Sequence, residues 1–143
     1  MRSFQNANHL AESLTSDDRD IQNKARELMT MDDEHFYKGI GWYLHNGEFI
    51  ENNNKRILFV GSLEHMTQDI QTLSTILQVT LDDTVKLREN KYIDTSMKYL
   101  SPLAIRNIID WYKDTDYRAL EVLLKYGWIS QELFSSYYIY TNE

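Results

Sequence analysis

Apolar residues recur along most of this chain at helical spacing, and at one place they run together. Ser16-Asp17-Asp18 offers an N-cap and early acids, and it opens a helix that reaches about Thr30. Ile21, Ala25, Leu28 and Met29 lie on one face of that helix. A shorter helix is predicted before it, over 6–14. Thr30-Met31-Asp32-Asp33-Glu34 is a second start signal. After it Phe36, Ile40, Tyr43 and Leu44 form a stripe to about His45, where Asn46-Gly47 ends the helix.

Asn52-Asn53-Asn54-Lys55 reads as a polar loop, and residues 56–60 read as the strand of the molecule. Ile57, Leu58, Phe59 and Val60 are consecutive and apolar, and Gly61 closes them. A run without alternation predicts burial on both faces, as in a parallel sheet. Such a strand needs neighbours for its backbone groups. Only 48–51 and 137–141 are candidates, so the rest of the sheet is expected on these or on other sequence. Residues 62–78 then read as helix, with Met66, Ile70, Leu73, Ile76 and Leu77 inward. A charged, irregular connection over 80–99 follows. Ser101-Pro102 starts another helix, to about Lys113. Asp116 is positioned to cap the next, with Leu120, Leu123 and Leu124 inward and Gly127 at its end. Residues 130–138 give a last short helix. The fold class is mainly α with one or two short strands.

The chain has 143 residues, enough for a single domain over 1–143 with a real core. Its 42% hydrophobic content and ten Tyr, five Phe and three Trp argue against a wholly disordered chain. Five Gly and one Pro favour helices over a many-stranded fold. The net charge of -7 disfavours nucleic acid and anionic membrane as partners, while leaving room for a local basic pocket. With no cysteine there are no disulfides, thiolate metal sites or cysteine nucleophiles. No apolar run is long enough to span a membrane and no signal-like core opens the chain, so a cytoplasmic protein is expected.

Trp42-Tyr43-Leu44, then Ile57-Leu58-Phe59-Val60-Gly61-Ser62-Leu63-Glu64, then Asp69 and Leu73, resemble a segment of the bacterial and phage sulfotransferase family related to the carbohydrate sulfotransferases. Tyr99-Leu100-Ser101-Pro102-Leu103-Ala104, Trp111-Tyr112-Lys113-Asp114 and Asp116-Tyr117 resemble its closing segment. Asn6 and the 10–14 stretch are similar to the segment before. The resemblance covers about residues 1–127. It implies the C-terminal half of a P-loop-like α/β fold that binds 3′-phosphoadenosine 5′-phosphosulfate and moves a sulfuryl group to an acceptor hydroxyl, on a carbohydrate or small molecule. The family's phosphosulfate loop, its 3′-phosphate ligands and its general base have no counterpart here. No catalytic residue is therefore assigned, turnover by this chain alone is not expected, and a complementing N-terminal half or a homodimer is.

Lys86, Arg88 and Lys91 form a basic cluster in an acidic chain. In the family, the loop at this place lies near the cofactor, so the resemblance makes these three its contacts. Arg suits phosphate through its forked guanidinium; the plainer reading is a solvated loop. Gly61 at a strand-to-helix turn could present N–H groups to an anion. Glu64 in the first turn opposes that, and capping of Ser62 or the helix start by Glu64 is the simpler role. His9, His35, His45 and His65 have no metal-ligand spacing. Trp111, Tyr112, Tyr117, Tyr126, Trp128, Tyr137, Tyr138 and Tyr140 crowd the last third. They read as core for the tryptophans and as an association surface for the terminal tyrosines. A non-enzymatic helical module that assembles through those aromatics is the alternative to the sulfotransferase reading.

Overall fold

A computed structural model describes residues 4–31, 36–80 and 99–138. Its helices are α1 (Ala7–Ser13), α2 (Arg19–Thr30), α3 (Ile40–Tyr43), α4 (Glu48–Asn53), α5 (Met66–Leu77), α6 (Pro102–Tyr112), α7 (Arg118–Lys125) and α8 (Gln131–Ser136). Among the described residues there is no strand, and no helix is long and apolar enough to cross a membrane.

Where starts are encoded locally, they form where the sequence puts them. Asn6 accepts from the His9 N–H, Asp18 from the Asp20 N–H, Ser101 from the Ala104 N–H and Ser130 from the Leu133 N–H. Each side chain takes up a donor the helix itself leaves unpaired.

Helices α6 and α7 are one continuous rod, contrary to the break expected at Asp116. A π turn over Lys113–Tyr117 joins them. The rod touches two separate cores. Trp111 and Tyr112 pack on Leu10, Leu14, Ala25 and Met29 of α1 and α2. Val122 and Leu123 pack on Ile50 of α4, with Leu44, Ile57, Val60 and Trp128 around them. Buried Asn107 ties α6 to the end of α1, donating to the Ala11 carbonyl at 2.9 Å and to Thr15 Oγ1 at 2.8 Å. The rod ends at Gly127, whose φ is 74°. The Trp128 N–H reaches the Leu123 carbonyl and the Gly127 N–H the Leu124 carbonyl, both at 2.9 Å, a Schellman closure.

Four expectations fail between residues 36 and 62. The helix expected to run to His45 is helical only over Ile40–Tyr43, because His45, Asn46 and Gly47 all take positive φ, at 48°, 53° and 98°. That reversal presses Gly47 against Val122, where a Cβ would lie 2.6 Å from Cγ2. It brings Leu44 and Ile50 into one core. Residues 48–51 are therefore helix, not strand, and the expected loop over 52–55 is the end of α4 and a 3₁₀ turn, Asn54–Arg56. Residues 57–62 have no regular secondary structure and form no strand, and they are not buried on both faces. Ile57 and Val60 meet the second core, whereas Leu58 stays 59% exposed. No neighbouring strand is present among the described residues, and there Leu58, Phe59, Val60 and Gly61 make no backbone hydrogen bond. At the other candidate strand, residues 137 and 138 form a turn after α8; 139–141 lie outside the described residues.

Candidate functional site

The π turn aims one carboxylate at a pair of glycines. Asp116 Oδ1 accepts a 2.6 Å hydrogen bond from the Gly41 N–H, the first turn of α3. Its other oxygen lies where a side chain on Gly39 would begin, since a Cβ there would sit 2.1 Å from Oδ2. A Cβ on Gly41 would meet the Thr115 carbonyl carbon at 2.5 Å. Only glycine lets the backbones approach this closely. Burial holds the Asp116 carboxyl above the usual carboxylate range, against the lowering effect of the Gly41 N–H. Beside it the Tyr112 hydroxyl donates to the Phe36 carbonyl at 2.5 Å. Burial first, then the Asp116 charge, push that phenol up to about 12. With its oxygens occupied by a backbone donor and a close backbone wall, Asp116 is a clasp and not an open base.

The clasp fixes one wall of a surface pocket of about 490 Å³, lined by Gly41, Trp42, Tyr43, His45, Asn46 and Glu48. The Trp42 and Tyr43 rings meet edge to face, with centroids 4.9 Å apart. Lys38 Nζ lies 5.3 Å from the Trp42 ring centroid. Tyr43 is 63% exposed, although its spacing places it on the inward stripe. Ile40, on the same stripe, is 40% exposed as well, so of that stripe Phe36 and Leu44 reach the cores. Gly39, Gly41 and Gly47 are three of the chain's five glycines; their crowding around one Trp-Tyr pair was the available signal for this pocket.

A second hollow, of about 240 Å³, lies along α5. It is lined by Phe59, Gly61, Ser62, Leu63, Met66, Asp69, Ile70 and Leu73. Here the aspartate of the resemblance closes the turn: Asp69 Oδ2 accepts from the Ser62 N–H at 2.7 Å. That replaces the cap expected of Glu64, which instead accepts from the Tyr137 hydroxyl at 3.2 Å. Burial, then the Glu64 charge, raise that phenol. Asp69 takes the Ser62 N–H that an anion at the Gly61 turn would use. Met66, Ile70 and Leu73 are half-buried, and Ile76 and Leu77, expected inward, are exposed. No residue of α5 is buried.

Lys86, Arg88 and Lys91, the three proposed cofactor contacts, lie outside the described residues. The tryptophans of the last third sit against the cores as expected: Trp111 on α1 and α2, and Trp128 with its indole N–H on Asn54 Oδ1 at 2.8 Å. Tyr137 and Tyr138 are half-buried, and Tyr138 packs on Tyr117 and Phe134. Among the described residues the exposed aromatics are Tyr37, Trp42, Tyr43, Phe49 and Tyr99; Tyr140 lies outside them. Among the described residues no three His, Asp or Glu side chains converge as a metal site would require. No protein-family model matches this chain, and no curated protein or solved structure matches it.

Proposed function

We propose that this chain forms part of a sulfotransferase-family domain, furnishing a wall of the cofactor site and the closing helices, while the phosphosulfate loop and the general base come from other sequence. The observation that carries the reading is the unit over 57–77. An apolar segment without regular secondary structure leads through the Gly61 turn to a helix; among the described residues the backbone of 58–61 makes no hydrogen bond, and the helix has no buried residue. Backbone donors and acceptors left unpaired in an apolar segment call for a partner. A sheet strand from the remainder of such a domain would supply one. Asp69, at the spacing that the resemblance demands, is in contact with the turn it follows. In this reading Arg88, with Lys86 and Lys91, neutralises phosphate of 3′-phosphoadenosine 5′-phosphosulfate, and the acceptor is a carbohydrate or small-molecule hydroxyl.

Calorimetric titration with 3′-phosphoadenosine 5′-phosphate tests this. Saturable binding, weakened at least ~10-fold by Arg88→Ala, is expected, which is about 1.4 kcal/mol. No turnover is expected from the 143-residue chain alone, so appreciable sulfuryl transfer by it would overturn the incomplete-domain reading. A second reading, a non-enzymatic interaction module, is favoured by the composition of α5. Asp69 is the one charged residue between Met66 and Leu77, and depletion of charge marks the centres of protein interfaces. Calorimetric silence towards the nucleotide would leave that module as the better explanation.

A further inference from the structure

We propose that the Trp42–Tyr43 pocket is a binding site for a neutral sugar, a pyranoside of one to three rings. Three features of the pocket point to that chemistry. Its floor is aromatic and exposed: Tyr43 at 63% and Trp42 at 48%. Such rings offer a flat apolar face beside a polar tip, which matches a pyranose, with C–H groups on one face and hydroxyls around the rim. Its rim combines acceptor and donor side chains, His45, Asn46 and Glu48, able to serve hydroxyls that both give and take hydrogen bonds. Its volume of about 490 Å³ is within the range of small-ligand sites.

Other ligand classes fit less well. Among the described residues Glu48 is the charged side chain that lines the pocket, with Lys38 standing over the Trp42 ring at 5.3 Å; a phosphate or sulfate would meet that carboxylate on a molecule already at -7, so a neutral ligand fits better. The aromatic planes cross at 86°. Two such rings cannot sandwich a planar base between parallel faces, but one can carry a puckered ring while the other borders it. The floor is also held in place before any ligand arrives. Asp116 grips Gly41 on one side of Trp42, and the positive-φ run at His45, Asn46 and Gly47 fixes the other. Rigid placement of the contacting groups lowers the ordering cost of binding. The inference deepens the proposed function, whose acceptor is a carbohydrate or small molecule, and it uses none of the residues assigned to the nucleotide, so its failure and the failure of nucleotide binding are read separately.

The test is titration of the full chain with maltotriose, cellotriose and chitotriose, followed by amide chemical shifts. Saturable shifts centred on Trp42, Tyr43 and Asn46 are expected with at least one sugar. Tyr43→Ala, at an exposed position, should leave the circular dichroism spectrum unchanged and weaken binding at least ~10-fold. Tyr99→Ala removes an equally exposed aromatic that does not line the pocket, and it should bind as the wild type does. Absence of saturable shifts with all three sugars would overturn the proposal. So would wild-type binding by Tyr43→Ala, or an equal loss in Tyr99→Ala.

Discussion

Asp116 and Gly41 are 75 residues apart in sequence and 2.6 Å apart in space. The carboxylate therefore has effects that differ by substitution. Gly41→Ala drives a methyl into the Thr115 backbone, which cannot yield as a flexible side chain would. Overpacking of this kind costs about 1–3 kcal/mol, to be read as a lower urea midpoint. Asp116→Asn keeps an oxygen for the Gly41 N–H and removes the charge. Because burial raises the folded-state pKa of Asp116, its native form binds the proton more tightly than the unfolded chain does. The stability associated with that proton is complete below the ordinary Asp pKa, about 4, and is lost as pH rises through the higher folded value. The advantage of Asp116→Asn over the wild type should thus grow with pH across that window and vanish in acid, in paired thermal melts. A difference independent of pH would refute the assignment. None of this was legible in the sequence, where Asp116 reads as a cap; a contact across 75 residues leaves no local trace.

At the scale of elements, what the sequence shows is what neighbours along the chain decide. Asn6, Asp18, Ser101 and Ser130 cap the helices they precede because donor and acceptor lie within three residues. Gly127 ends α7 for an equally local reason, its φ of 74°. A Cβ there would touch nothing within 4 Å, so Gly127→Ala isolates the conformational term, about 1–2 kcal/mol of destabilisation, measurable by chemical denaturation. Asn107→Ala should cost a similar ~1–3 kcal/mol by leaving acceptors at the end of α1 unserved. Residues 57–60 misled for the opposite reason. Four apolar residues in a row record a tendency to be covered on both faces, but the cover itself is a tertiary fact. In this chain Ile57 and Val60 find it and Leu58 does not. The stripe of Ile40 and Tyr43 was likewise misplaced, because the helix that carries it is one short turn and both residues stay exposed.

Among the described residues two small cores are joined by the rod of α6 and α7, with α5 outside both. The molecule's mainly helical class followed from scarce Gly and Pro and from helical periodicity. The division into two cores did not, because it depends on a π turn that looks like a helix break in sequence. The sugar pocket was hidden for the same reason, since its walls come from a reversal and a distant clasp. Elements with few buried contacts open at low free energy, while central ones open only with global unfolding. Amide hydrogen exchange of the free chain therefore tests most directly whether the 57–77 unit lacks its partner. Amides of α5 should exchange at least ~100-fold faster, relative to their unstructured rates, than those of α7, a gap of roughly 2.7 kcal/mol. Equal protection of α5 and α7 would contradict the claim, because it would mean that α5 is already covered.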